Sequence, residues 1–96
     1  MHPDMTDDLE RSFAERGYSF GIFVDPPGQE WRGFVHDVDE IVVPLEGTVT
    51  ITVAGVVHRP AIGEEVFIPA NAVHDVVTGS ESGSRWAYGY RRDGAA

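Results

Sequence analysis

Between Gly47 and Gly55 the chain alternates without a break, with Thr48, Thr50 and Thr52 interleaving Val49, Ile51 and Val53. A period of two sends the hydroxyls to one face of an extended segment and the aliphatic groups to the other, and β-branched side chains favour that conformation. Turn residues punctuate the rest of the chain at a similar pace: Asp25-Pro26-Pro27-Gly28, Ala54-Gly55, Pro60-Ala61-Ile62-Gly63, Pro69-Ala70-Asn71 and the polar loop Gly79–Ser84. The segments between them are rich in Val, Ile and aromatic residues. They predict strands at Tyr18–Val24, Trp31–His36, Glu40–Val43, Thr48–Val53, Val56–Arg59, Glu65–Ile68, His74–Thr78 and Arg85–Arg91. Short strands with turn signals about every 8–12 residues make an all-β sandwich or barrel.

One segment breaks the pattern. Residues 7–16 place Leu9 and Phe13 at i and i+4, with Asp7 and Glu10 spaced as a capping box and Gly17 as the stop. A helix this short is not stable alone and must dock on something. The expected organisation is an N-terminal segment with this helix at 1–17, one barrel at 18–92 and a loose tail at 93–96. A chain of 96 residues has room for one modest core.

Composition removes several chemistries. Cysteine is absent, which excludes disulfides, thiolate metal sites and cysteine nucleophiles, and lysine is absent too, which excludes lysine Schiff-base chemistry. The net charge is −9, and ten of the sixteen acids fall in residues 1–40. No basic stripe exists to follow nucleic acid or to meet an anionic membrane, and no helix-turn-helix pattern is present. The longest apolar runs are far shorter than a membrane helix, and the start Met1-His2-Pro3-Asp4 lacks the basic and apolar regions of a signal peptide. The expectation is a cytoplasmic protein that touches neither membrane nor nucleic acid.

Of the four histidines, His2 lies near the terminus and His58 at a strand end beside a turn, where an exposed structural role is the ordinary one. His36 and His74 keep different company. His36 precedes Glu40 by four residues, and His74 follows the Pro69–Asn71 turn. Two imidazoles and a carboxylate on strands facing one lumen make a ligand set for Fe, Mn, Ni, Zn or Cu. Asp37 and Asp39 alternate with Val38 and read as a solvated rim, with a role in orienting an imidazole as the alternative. Trp86, Tyr88 and Tyr90 share one face of the last strand, a pattern that more often packs a core than lines a site.

The spacing of these residues resembles the cupin family, in particular its small single-domain members. The family's first motif is G(X)5HXH(X)3–4E(X)6G, and its second half is matched by His36, Glu40 and Gly47. The second motif, G(X)5PXG(X)2H(X)3N, is matched by Gly63, Pro69, Asn71 in the glycine position and His74, with Thr78 where the asparagine stands. Phe34 occupies the place of the first motif histidine.

The resemblance implies a cupin-type jelly-roll barrel over about residues 18–91. It also implies one divalent transition metal held by His36, Glu40 and His74, with Phe34 and Tyr88 lining the pocket. Small members of the family are commonly homodimers, so a homodimer is expected. The function implied is metal-dependent action on a small, oxygen-rich organic molecule, with dioxygenase, isomerase and lyase chemistry all open. The alternatives are a barrel that binds or senses a small ligand without turning it over, metal-free or not, and an accessory barrel.

Overall fold

The structure, a computed structural model, describes residues 5–81 and 83–92. One helix, α1 (Met5–Glu15), precedes eight strands: β1 (Gly21–Asp25), β2 (Glu30–Phe34), β3 (Glu40–Glu46), β4 (Val49–Val53), β5 (Val56–His58), β6 (Val66–Ile68), β7 (His74–Thr78) and β8 (Ser84–Tyr90). They form two four-stranded antiparallel sheets, ordered β1-β8-β3-β6 and β2-β7-β4-β5. Neighbours in each sheet are mostly distant in sequence, which is the jelly-roll arrangement. The expected tail at 93–96 and His2 lie outside the described residues.

The pattern of β3 explains how helix and barrel fit together. Glu40 through Leu45 are buried on both faces, which only a sheet covered on both sides allows. On the inner face, Val42 meets Val49, Ile51, Val53, Val66, Ile68, Val76 and Trp86 between the sheets. On the outer face, Ile41, Val43 and Leu45 receive Phe13 and Leu9 of α1, with Tyr18 and Ala87 completing the cluster. The helix therefore docks on the outside of the sheet, through a Phe13 side chain with no exposed surface.

The helix begins two residues earlier than the 7–16 expected, so Asp7 lies inside its first turn. There its carboxylate favours the positive end of the helix dipole. Its end is as expected. Gly17, at φ +85°, closes a Schellman motif in which the Tyr18 N–H donates to the Phe13 carbonyl (2.8 Å) and the Gly17 N–H to that of Ala14 (3.1 Å). Arg16 reaches Glu65 with two bonds of 2.8 and 2.7 Å.

The strand boundaries differ most at β2 and β3. β3 runs on to Glu46, through Pro44, because the pairing with β8 shifts register between Pro44 and Glu46. β2 stops at Phe34, and its pairing with β7 slips between Trp31 and Phe34, where Gly33 sits at φ +72°. A bulge of this kind needs a residue that accepts positive φ. Among the described residues, no helix is long and apolar enough to cross a membrane.

Candidate metal centre

Three elements bring the titratable residues to one end of the barrel. Glu40 opens β3 and His74 opens β7. His36 lies in the loop after β2, not on the strand itself, which corrects the expected strand at Trp31–His36. Backbone bonds hold that loop in place. The Asn71 N–H donates to the His36 carbonyl (2.7 Å), the Ala70 N–H to Asp39 Oδ1 (2.8 Å) and the Arg91 N–H to the Asp39 carbonyl (2.8 Å). The segments carrying the two motifs are thus tied directly to each other. Asn71 adopts φ +68°, the conformation a glycine would supply at this position. Asp39 secures the loop and makes no bond to an imidazole.

The two imidazoles are oriented by main-chain carbonyls. His36 Nδ1 lies 3.3 Å from the Val38 oxygen and His74 Nδ1 lies 3.0 Å from the Ala72 oxygen. A carbonyl can only accept, so each Nδ1 carries a proton and donates to it, which leaves each Nε2 as the atom turned to the site. Both Nε2 atoms turn toward Glu40: its Oε1 is 3.0 Å from His36 Nε2 and 3.5 Å from His74 Nε2. One ligand atom from each of the three residues lies within 4.8 Å of the others. Burial pushes the Glu40 carboxyl up to about 7, against the opposing pull of His36. In the metal-free cluster a proton must be shared between this buried carboxyl and the Nε2 atoms that face it, and a divalent cation can take that proton's place. The donor set fits a metal.

Below this cluster is a cavity of about 270 Å³. Strand pairing orders its wall in layers. Glu40 pairs with Tyr90, Val42 with Tyr88 and Pro44 with Trp86, while Phe34 pairs with His74, Trp31 with Val76 and Phe23 with Trp86. Phe34, at 43% exposure, sits at the mouth.

The rings close on themselves. Phe34 contacts Trp31 at 6.0 Å between centroids, Trp31 contacts Phe23 at 5.6 Å and Phe23 contacts Trp86 at 5.3 Å. Trp86 continues to Tyr88 at 5.9 Å and Tyr88 to Tyr90 at 5.7 Å. Tyr90 meets His36 at 4.9 Å, His36 meets His74 at 4.7 Å, and His74 returns to Phe34 at 6.2 Å. Space for this circuit is made at Gly21, where a Cβ would come within 2.6 Å of the Tyr88 ring.

Behind the circuit lies Asp25, 3% exposed, whose two oxygens each accept an indole N–H: Oδ1 from Trp31 Nε1 at 3.1 Å and Oδ2 from Trp86 Nε1 at 2.9 Å.

The cavity is lined by Phe34 and Tyr88 together with Phe23, Trp31, Val76, Trp86 and Tyr90. The stripe Trp86, Tyr88, Tyr90 has a pattern that more often packs a core. It faces the cavity, and Trp86 does both, because the inner face of β8 is at once the core and the pocket wall. Trp31 and Phe34 differ in parity on a regular strand, yet both reach the cavity because of the slip at Gly33. Asp25 carries no sequence signal for its place: in sequence it is the first residue of a turn. Thr78, in the motif's asparagine position, is buried and bonds the β1–β2 turn through the Pro26 carbonyl (3.1 Å) and the Gln29 N–H (2.9 Å).

No family model matches the chain. It is 38% identical over 77 residues to the dimethylsulfoniopropionate lyase DddW of Ruegeria pomeroyi, a match covering 80% of this chain and 50% of DddW. The chain therefore spans about half the length of this curated relative. Among solved structures, a cupin protein from Bacteroides fragilis aligns with TM-score 0.70 at 22% identity, over 92% of this chain and 76% of that one. The dimethylsulfoniopropionate lyase DddQ of Ruegeria pomeroyi aligns with TM-score 0.71 at 22% identity, over 80% of this chain and 39% of its own. At these identities the structural likeness speaks for the fold, and the same barrel recurs in a cupin 2 conserved barrel domain protein from Salinispora arenicola. Two sheets in jelly-roll order, both spaced motifs and these relatives agree: the chain is a small cupin domain and belongs to the cupin family.

Proposed function

We propose that this domain holds one divalent transition metal through His36 Nε2, the Glu40 carboxylate and His74 Nε2, and that it acts on a small organic molecule bound in the aromatic cavity. The observation that carries the reading is the orientation of the imidazoles. Both Nδ1 atoms are committed to backbone carbonyls, and both Nε2 atoms converge on one buried carboxyl group. When bound, such an ion acts as a Lewis acid toward an oxygen of the substrate.

The chain's own residues supply the rest. The main-chain bonds to Nδ1 hold the ligands preorganised, and Glu40 gives up its proton to become a charged ligand. The ring walls exclude water from the substrate's other end. The relationship to DddW makes lyase chemistry the reaction class to assay first, ahead of isomerase or dioxygenase chemistry, with dimethylsulfoniopropionate as the first compound to try.

The test is elemental analysis of wild type, His74→Ala and Glu40→Gln prepared in parallel, followed by lyase assay of each. Close to one equivalent of metal in wild type, with much less in both variants and product formation tracking metal, is the expected outcome. Equal metal in all three overturns the site.

A further inference from the structure

The two tryptophans of the cavity are unusual in what they withhold. An indole normally brings a hydrogen-bond donor to any pocket it lines. Here Trp31 and Trp86 come from opposite sheets, yet both direct their N–H groups out of the cavity onto the same buried carboxylate, Asp25 (3.1 and 2.9 Å). What remains facing inward is carbon: the two indoles, the Phe23 ring that touches both (5.6 and 5.3 Å), and Val76. Among the described residues no arginine lines this space, and the chain has no lysine. The cavity therefore has two unlike ends. The mouth carries His36, Glu40 and His74, Tyr88 and Tyr90 stand along the β8 side, and the inner end is walled by Trp31, Trp86, Phe23 and Val76 with both indole donors turned away.

We propose that the inner end is a binding subsite for a compact methylated group that has no hydrogen-bonding atom, and that Asp25 is the positioning residue that makes it so by drawing both indole donors away. Such a group comes from two chemical sources: a methylated onium cation or a branched alkyl group of the same shape. Both fill a space walled mainly by carbon without bringing a polar atom that needs a partner. The onium gains further attraction from electron-rich ring faces, and an indole hydrogen-bonded to a carboxylate has a richer face than a free one. This deepens the function proposed above by naming the substrate class. It rests on that reading only in seating the ligand's oxygen-bearing end at the metal ligands.

Three carboxylates of matched length separate the possibilities: glycine betaine, its neutral carbon isostere 3,3-dimethylbutanoate, and glycine. Binding is measured by calorimetry and by tryptophan fluorescence, with chelator and again with added Mn²⁺. The expected result is that one or both methylated probes bind at least about tenfold more tightly than glycine. Preference for betaine over the isostere assigns the subsite to an onium, and equal binding of the two assigns it to alkyl. Glycine binding as well as the methylated probes overturns the proposal.

Added Mn²⁺ tests the metal reading separately. It should tighten all three probes alike through their shared carboxylate, and no effect of Mn²⁺ counts against the metal site while leaving the methyl preference standing. The role of Asp25 is tested by Asp25→Asn, whose amide can accept from only one indole and opposes the other with an N–H. The methyl preference should collapse in this variant. It should return in Asp25→Asn/Trp31→Phe, where one indole and one acceptor remain, a rescue that general loss of stability would not produce. An undiminished preference in folded Asp25→Asn, or no recovery in the double variant, overturns the assignment of Asp25.

Discussion

At Glu40, burial and ion pairing pull in opposite directions, and burial prevails. Loss of solvation raises the carboxyl to about 7 from an ordinary value of 4.5, although His36 favours the charged form. The folded protein thus keeps this proton over a range where an unfolded chain has released it. The stabilisation is complete below about pH 4.5 and is lost as pH rises through about 7. Chelator-treated wild type should therefore lose stability to denaturant between pH 5 and pH 8, by more than Glu40→Gln loses over the same range. Parallel curves for the two would show that the carboxyl is not desolvated.

The neighbouring Phe34 offers a second test at this scale. Its ring centroid lies 6.2 Å from that of His74, at the position where the family's motif has a histidine. Phe34→His should add a fourth ligand and tighten divalent metal binding in a competition with a coloured chelator. It should also occupy a coordination position and so reduce turnover. The metal-free variant should be less stable by under about 1 kcal/mol, since the ring that is replaced is already 43% exposed. Unchanged or weaker metal binding would mean that the side chain at this position does not reach the ligand cluster.

Among the elements, α1 shows how a weak local preference is completed by packing. Its eleven residues form too short a helix to persist alone. Phe13 inserts against Ile41, Val43 and Leu45, and its ring edge meets Phe20 at 5.2 Å between centroids. The ring approaches Gly89 so closely that a Cβ there would lie 2.7 Å from it. Phe13→Ala should cost about 3–5 kcal/mol in denaturant unfolding, with loss of helical signal. Arg16→Ala, which removes a solvent-exposed pair with Glu65, should cost under about 1 kcal/mol. A large loss from the arginine and a small one from the phenylalanine would reverse this account of what anchors the helix.

For the whole molecule, the metal ligands and the barrel walls are the same elements. Glu40 and His74 are the first residues of β3 and β7, and the His36 loop is bonded to the turn before β7. A ligand that clamps these three should stabilise the entire fold by mass action, by about 2.7 kcal/mol at a hundredfold excess over Kd. Ligand atoms must be unprotonated to bind, so protons compete with the metal and binding weakens in acid. The rise in melting temperature on adding Mn²⁺ should therefore be large at pH 8 and small at pH 5. This is the reverse of the trend in the metal-free protein, where ionising Glu40 destabilises. A metal-induced shift that is the same at both pH values would separate metal binding from these histidines.

Sequence alone determined whatever depends on neighbours along the chain. Strict alternation from Thr48 to Val53 defined β4, and Gly17 marked the end of the helix. The spacings of His36, Glu40 and Gly47, and of Gly63, Pro69 and His74, located the residues that converge in the structure. These features are local because strand period, turn conformation and motif spacing are set by a few consecutive residues. Only the tertiary structure decided what the cavity is lined with. Its wall is assembled from β1, β2, β3, β7 and β8, drawn from both sheets, and no periodicity relates residues so far apart. The slip at Gly33 reversed the parity by which Trp31 and Phe34 would be placed on a regular strand, and it brought both rings to the cavity. Asp25, a turn residue by its sequence, became the shared acceptor for two indoles because antiparallel pairing of β1 with β8 and the fold of β2 over the cavity bring Trp86 and Trp31 to it from opposite sheets. Where donors point is a property of packing between distant segments, and it is the property that most shapes what this cavity can accept.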